Sequence, residues 1–355
     1  MPEADHRRAY ELIDRLAVER SLGPAEYEEL VRAFTPEVAA YAADRAVRER
    51  RRVYGTDVYI RGLIEISSYC KNDCLYCGLR RSNRSAERYR LRAEDILACC
   101  DVGYNLGFRT FVLQGGEDAA FTDEVVCDIV CAIKAAHPDC AVTLSLGERA
   151  RASYQALFDA GADRYLLRHE TADPKHYARL HPAELSWERR MQCLRDLRDI
   201  GYQVGCGFMV GSPYQTAVAL AADLKFVETF RPAMVGIGPF IPHHATPFAR
   251  EPAGSVDLTC YLLSLLRLID PALLLPATTA LGTLDATGRE RGICAGANVV
   301  MPNLSPTDVR QKYELYDKKA HAGSEAAEGL AELRRRMEAI GYRVVIDRGD
   351  AKCLD

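Results

Sequence analysis

The 355-residue chain has little that would place it in a membrane, outside the cell or on nucleic acid. Its start, Met-Pro-Glu-Ala-Asp-His-Arg-Arg, lacks the apolar run of a secretory leader. The greasiest stretch, Leu258 to Ala277, is interrupted by Arg267, Asp270 and Pro271 and is no membrane span. Lysine plus arginine number 46 against 50 acidic residues, and a net charge of −4 gives no argument for a nucleic-acid or anionic-membrane partner. There is no low-complexity tract and no repeat beyond an alternation of strand and helix patterns. The expectation is a cytoplasmic globular protein with 48% hydrophobic residues for its core.

Two further absences bear on chemistry. No histidine stands between His6 and His137, and no fourth cysteine stands beside Cys70, Cys74 and Cys77. A structural zinc wants four closed ligands, usually as two spaced pairs. The trio cannot complete such a site locally, although a distant residue could supply a fourth ligand. Of the other ten cysteines, most lie in apolar stretches without paired metal spacing, and with no secretory leader a disulfide framework is not expected. Cys127 and Cys131, one helical turn apart, read as a ligand pair or as small buried hydrophobes on a helix face; the second fits how often free cysteine is buried.

What is present is a loop that can carry a metal cluster. In Ser-Tyr-Cys70-Lys-Asn-Asp-Cys74-Leu-Tyr76-Cys77-Gly, three thiolates at x3 and x2 spacing can hold three corners of a cuboidal iron–sulfur cluster. The fourth iron then stays open to a small chelating molecule.

The first fifty residues read as helical: Tyr10 to Arg20, Ala25 to Phe34 and Pro36 to Arg50. From Val58 onward eight β-rich runs alternate with helical patterns, as in parallel βαβ units. The runs are Val58–Ile66, Thr110–Leu113, Ala141–Leu146, Arg164–Leu167, Gln203–Val210, Met234–Ile237, Leu273–Ala277 and Asn298–Met301. Gly107, Gly161 and Gly201 end helices just before strands. The order predicts an α/β fold, a (β/α)8 TIM-type barrel, with residues 1–50 as a helical preamble, 51–317 as the barrel and 318–355 as a C-terminal extension. That extension is expected to hold a helix near Glu325–Ile340 and a strand at Arg343–Ile346. A barrel places its site at the C-terminal ends of the strands, and the cysteines directly follow the first.

Other strand ends carry chemistry too. Gln114-Gly115-Gly116-Glu117-Asp118 follows the second strand: paired glycines allow close approach to a ligand, and an acidic residue accepts from an ammonium. Arg168-His169-Glu170-Thr171 follows the fourth. There a carboxylate can take two ribose hydroxyls and an arginine can fork onto a carboxylate. Arg190, with Arg189 as the competing choice, opens a later helix.

Cys-x3-Cys-x2-Cys with Tyr76 before the last cysteine resembles the signature of the radical S-adenosylmethionine enzymes. The strings Ser145-Leu-Gly-Glu148, Arg164 to Thr171, Phe208 to Thr216, Val235 to His243, Pro276 to Gly282, Gly296 to Asn303 and Arg310 to Tyr316 together resemble the HydE family of FeFe-hydrogenase maturases. Residues 50 to 317 carry the likeness. The resemblance implies a 4Fe-4S cluster on Cys70, Cys74 and Cys77 and bound S-adenosylmethionine, cleaved to a 5′-deoxyadenosyl radical. It implies that Tyr76, Gly115, Gly116, Glu117, Glu170, Arg190 and Tyr316 contact the cofactor. Thr143, Arg164, Arg168, Thr278, Thr279 and Tyr313 would line the substrate cavity. The implied substrate is an iron complex with carbon monoxide, cyanide and cysteine, supplied by HydG and passed toward assembly on HydF. Many members carry three more cysteines after the equivalent of Tyr316 for an auxiliary cluster; here Asp317 to Asp355 holds only Cys353. Biotin synthase and methylornithine synthase resemble the same barrel. The first would need a second cluster on inward cysteines, for which Cys140 and Cys206 lie near strands.

Arg80, Arg81, Arg84, Arg88, Arg90 and Arg92 surround the end of the cysteine loop. They read as a solvated face or as a dock for an acidic flavodoxin or ferredoxin.

Overall fold

Apolar runs too short for helices, spaced by amphipathic helices, bury both faces best as a parallel sheet wrapped by those helices. The computed structural model, which describes residues 3–320 and 327–352, has this arrangement. Three helices come first: α1 (Glu3–Glu19), α2 (Pro24–Arg32) and α3 (Pro36–Tyr54). The barrel begins with β1 (Asp57–Ile60) and β2 (Gly62–Ser67), then α4 (Ala93–Leu106), β3 (Thr110–Gly115), α5 (Asp123–Ala136), β4 (Ala141–Ser145) and α6 (Arg151–Asp159). It continues through β5 (Arg164–Leu166), α7 (Pro174–Leu180), α8 (Trp187–Ile200), β6 (Gln203–Cys206), β7 (Met209–Val210), α9 (Ala217–Phe230), β8 (Met234–Val235) and β9 (Gly238–Pro239). Last come α10 (Val256–Ile269), α11 (Thr279–Leu284), α12 (Gly288–Cys294), β10 (Val299–Val300), α13 (Leu330–Ala339) and β11 (Arg343–Val345). The start of the helix expected from Glu325, and Cys353, lie outside the described residues.

Strands β2, β3, β4, β5, β6 and β8 pair in that order, all parallel. The ring closes through single bridges, Met234 to Leu274, Pro276 to Val299 and Leu63 to Asn303, while β10 pairs with β1. The expected seventh strand, Leu273–Ala277, is therefore present only as bridges. Pro276 cannot donate to a ladder, and the Asn298 side chain takes the Leu275 N–H at 2.8 Å in place of a strand partner. The fifth and sixth runs break where Gly207 crosses Gly236: a Cβ at Gly207 would lie 2.0 Å from the Gly236 carbonyl oxygen. Gly107, Gly161 and Gly201 all take positive φ, as expected of helix-ending glycines.

Alternation along each strand sorts side chains between barrel interior and outer layer. Leu166, Met234, Leu274 and Val299 form one apolar layer inside. Cys140 and Cys206 instead belong to the large apolar cluster shared with the helices, so neither is available as an inward ligand. Cys127 and Cys131 each donate to a carbonyl of the α6 region, Ala156 and Ala160, at 3.6 Å, and Cys131 is exposed, not buried.

The helical preamble is tied to the barrel by Glu228 of α9, which accepts from Ser21 Oγ and Tyr27 Oη, each at 2.7 Å. The tail adds β11 beside β1 and then crosses the N-terminal end of the barrel. Arg164 lies there, at the end opposite the cysteine loop. Its guanidinium pairs with Asp350 and donates to Thr110 Oγ1 and the Arg348 carbonyl, each at 3.0 Å, and to Gln203 Oε1 at 3.3 Å. Arg164 thus departs from its expected place in the substrate cavity, because the first residue of a barrel strand reaches the floor and not the mouth. No helix among the described residues is long and apolar enough to cross a membrane.

Candidate active site

The cysteine loop follows β2 and is fixed by backbone bonds to four neighbours. Lys71 N–H donates to Glu117 O at 2.9 Å, Leu75 N–H to Leu180 O at 3.0 Å, Gly78 N–H to Leu315 O at 2.9 Å, and Leu91 N–H, past the loop, to Ile66 O at 2.9 Å. Arg88 gathers carbonyls from inside the loop: Leu79 at 3.0 Å, Arg80 at 2.8 Å, Asn83 at 3.2 Å, and Ser68. Arg80 closes onto Asp73 at 2.8 Å, and Asp73 is held well below the usual carboxylate range by that guanidinium. Arg90 pairs with Asp118, and Arg92 with Asp95. Of the six arginines expected to form one basic face, four therefore hold the loop and its flank together. Arg81 and Arg84 remain as exposed charges.

Cys70, Cys74 and Cys77 are half-buried. Burial pushes all three thiols up, Cys77 to about 12, and their mutual repulsion adds to the effect at Cys74 and Cys77. Three clustered thiols held neutral in this way become thiolates only when a cation sits among them, which is what a metal centre supplies. The donor set fits an iron–sulfur cluster with three protein ligands.

The Gly-Gly-Glu turn meets the same loop. A Cβ at Gly116 would lie 2.2 Å from Tyr69 O and 2.7 Å from Cys70 Cβ, so only glycine lets the turn approach the first cysteine; Gly115 is under no such constraint. Glu117 holds the Lys71 ammonium at 3.1 Å and accepts the Glu148 N–H at 2.9 Å. Gly147 makes room for it at φ +73°.

Past β5 the chain reaches the mouth. Arg168 Nε and Nη2 and Glu170 Oε2 are buried without a partner, as is Thr143 Oγ1 on β4. Arg168 Nη2 and Glu170 Oε2 stand 3.5 Å apart, too long for a good hydrogen bond. Glu170 takes the left-handed conformation at φ +64°. Between them His169 turns away from the mouth and is fully buried. Arg190 is buried and donates to Glu148 Oε1 at 2.5 Å and to Arg168 O at 2.6 Å, whereas Arg189 is exposed and donates to Arg149 O. Of the two arginines it is Arg190 that belongs to this cluster. Tyr76 packs against Leu180, Met209, Phe240 and Phe248, and its hydroxyl meets His181 Nε2 at 3.2 Å.

The segment from Tyr313 to Ala320 crosses the mouth. Tyr313 is buried, with its hydroxyl accepting from Gln114 Nε2 at 3.4 Å, and Tyr316 is half-buried on the same segment. Lys319 pairs with the fully buried Glu65 of β2, which also accepts from Asn303 Nδ2 at 2.9 Å. Thr278 donates to Ile237 O at 3.2 Å and Thr279 begins α11, both half-buried. Asp317 binds His244 Nδ1 at 2.7 Å and lies 3.9 Å from His243 Nε2. These three can be drawn as a metal site. However, His243 Nδ1 accepts the Ala245 N–H at 3.0 Å, which leaves the ring proton on Nε2 and no lone pair there for a metal.

Glu148, Glu65, Lys319 and Asp223 escaped the sequence reading as functional residues. Asp223 had a signal: it is a lone acid on a helix face otherwise made of Leu220, Ala221, Leu224 and Val227. Lys319 had none, since only the crossing of the segment brings it to Glu65.

A parallel barrel with three cysteines on the loop after β2, the first strand of its six-stranded ladder, is the arrangement of the radical S-adenosylmethionine enzymes, and the model of the Radical SAM superfamily matches residues 64–227. The [FeFe] hydrogenase maturase subunit HydE of Thermotoga maritima is 44% identical over 303 residues, covering 85% of this chain and 86% of that one. The chain belongs to the HydE family of radical S-adenosylmethionine enzymes. More distantly, a 3-methylornithine synthase of Methanosarcina barkeri is 28% identical over 85% of this chain and 84% of its own. The crystal structure of methylornithine synthase (PylB) superposes with a TM-score of 0.81 at 25% identity, covering 94% of this chain and 97% of that one. HydG, at 19% identity and TM-score 0.78 over 96% of this chain and 76% of its own, shares the fold. The family implies a 4Fe-4S cluster and S-adenosylmethionine.

Proposed function

We propose that this chain is a cytoplasmic maturase of FeFe-hydrogenase that acts on a small anionic substrate inside the barrel. The observation that carries the reading is the coincidence of three half-buried cysteines with buried polar atoms of Arg168 and Glu170 that make no hydrogen bond at the same barrel mouth. It is supported by the 44% identity to a protein named as a hydrogenase maturase.

Cys70, Cys74 and Cys77 would hold the cluster, which when bound supplies the electron that cleaves S-adenosylmethionine to a 5′-deoxyadenosyl radical. Glu117, which already holds an ammonium from Lys71, accepts from the cofactor's amino group, with Gly115 and Gly116 giving it close approach. Arg190 forks onto the carboxylate, Glu170 accepts the ribose hydroxyls, and Tyr76 and Tyr316 pack beside the nucleoside. Thr143, Arg168, Thr278, Thr279 and Tyr313 hold the substrate; Arg164 has no place in this set, being engaged at the floor. The segment over the mouth and the apolar layer below keep water out, which protects reactive species. The substrate is an iron complex bearing carbon monoxide, cyanide and cysteine, delivered by HydG, with the product passed to HydF. Arg81 and Arg84 would offer an acidic flavodoxin or ferredoxin a docking face beside the cysteine loop.

Deleting the gene in a hydrogenase-producing host should abolish hydrogen evolution, restored by the intact gene and not by Cys74→Ala. Normal hydrogen evolution in the deletion strain would refute the reading, and methylornithine production by the purified enzyme would reassign it.

A further inference from the structure

His169 and Asp223 lie outside the chamber, yet they are wired to the residue that faces it. His169 is fully enclosed, its ring 4.6 Å from that of Phe226 and 5.8 Å from that of Phe208. The Gly207 N–H donates to His169 Nδ1 at 3.3 Å. That bond leaves the ring proton on Nε2, which donates to Asp223 Oδ1 on α9 at 3.2 Å. The same oxygen accepts the Ala172 N–H at 2.5 Å. Gly207 returns the link: its carbonyl accepts the Glu170 N–H at 3.0 Å.

Glu170 is thus clamped on both sides, by residue 169 before it and Ala172 after it. It needs clamping. A non-glycine residue at φ +64° sits in a sparsely populated region and persists only where its surroundings fix it. Its Oε2 is buried without a hydrogen bond, 3.5 Å from Arg168 Nη2, so the strained conformation holds an acceptor that the chain leaves unsatisfied.

We propose that His169 and Asp223 form a positioning pair that holds Glu170 in the conformation needed to take the ribose of S-adenosylmethionine, so that cofactor affinity depends on two residues that never touch it. The inference rests on the reading of Glu170 as the ribose acceptor. Burial lowers the His169 pKa to about 3 and raises that of Asp223, so hydrogen-bond geometry and not charge does the holding.

The test uses the full-length protein, anaerobically reconstituted with iron and sulfide. Affinity for S-adenosylmethionine is read from the change it causes in the spectrum of the reduced cluster. KM and kcat for 5′-deoxyadenosine release and thermal melting are measured alongside. His169→Gln keeps a donor toward Asp223 but loses the acceptor for Gly207; His169→Asn keeps that acceptor and loses the donor. Because Gly207 binds Glu170 directly, His169→Gln should weaken cofactor affinity about tenfold and His169→Asn about threefold, with kcat at saturation nearly unchanged. Asp223→Asn, which preserves the accepting oxygen, should restore most of the affinity lost in Asp223→Leu. Equal affinities in wild type, His169→Gln and His169→Asn would overturn the proposal. So would affinity losses that follow melting temperature alone, with His169→Asn as weak as His169→Gln. Glu170→Ala is the control: if it leaves affinity intact, the ribose reading fails; if it weakens affinity while the His169 variants do not, only the positioning pair fails.

Discussion

Arg164 opens β5 and Arg168 lies two residues past its end, and the barrel uses them in opposite ways. At the floor Arg164 spends its guanidinium on Asp350, Thr110, Gln203 and a tail carbonyl. At the mouth Arg168 Nε and Nη2 and Glu170 Oε2 make no hydrogen bond, the two charged groups standing 3.5 Å apart. A buried polar group left unpaired costs about 1–3 kcal/mol. A fold that accepts several such costs side by side is keeping places for a ligand; one that pairs nearly every donor is building a wall. Arg61, beside Arg164, is the partial exception, with only its Nε unpaired. Charge and burial alone do not separate the two ends, whereas the accounting of partners does.

The comparison breaks most visibly at the cysteines. Replacing Cys70, Cys74 or Cys77 by serine should remove the cluster and reduce 5′-deoxyadenosine release to background, with the floor and the melting of the barrel little altered. Iron analysis and product assay check both halves. Gly116→Ala comes next. Its new Cβ would meet the Tyr69 carbonyl, a backbone atom that can yield only by moving the loop. A cost of about 1–3 kcal/mol in stability is expected, with poor iron retention after reconstitution.

A floor variant should separate the ends cleanly. Asp350→Ala leaves the buried Arg164 guanidinium its neutral acceptors but no carboxylate; with Asp350 39% exposed, the loss should be about 1–2 kcal/mol rather than the larger cost of a fully buried pair. Cofactor affinity should not change, and a loss there would mean the floor shapes the mouth. Acid should act on the mouth through His181, which supports Tyr76 and is pushed down to about 3 by burial. The unfolded chain takes up this proton below the ordinary 6.5 while the folded one refuses it until about 3. Stability is therefore full above the first value and falls on acidification between the two, by at most about 1.4 kcal/mol per pH unit. His169 and His176 act in the same direction, and Asp223, whose carboxyl burial raises, opposes them. Melting curves between about pH 7.5 and about pH 5.5 should show the decline, flatter in His181→Gln. The smallest effect should come from reversing Arg81 and Arg84, which should slow cluster reduction by flavodoxin about two- to fivefold and by dithionite not at all. Equal slowing with both reductants would remove the docking face.

The barrel was readable because period-2 runs and helix-ending glycines are local. Even so, the seventh strand dissolved into bridges at Leu274 and Pro276, where a proline and the Asn298 side chain replaced a ladder. The cysteine loop and the Gly-Gly-Glu turn were equally plain, since the residues of each are neighbours in sequence. Arg164 was misplaced because the resemblance carried the string Arg164 to Thr171 as one unit, although Arg164 opens its strand and a barrel strand starts at the floor. The basic run looked like a surface because no sequence pattern marks the backbone carbonyls that take Arg88 or the distant Asp118 that takes Arg90.

By itself the sequence determined the three-cysteine loop, the β/α alternation and hence a closed parallel barrel, because each depends on spacing within a few residues. Only the tertiary structure decided which arginines hold the loop, that Asp350 neutralises Arg164, and that Asp223 reaches Glu170 through His169. Those choices depend on burial and hydrogen-bond partners drawn from distant parts of the chain, and chain order does not encode which of many equivalent charges will meet.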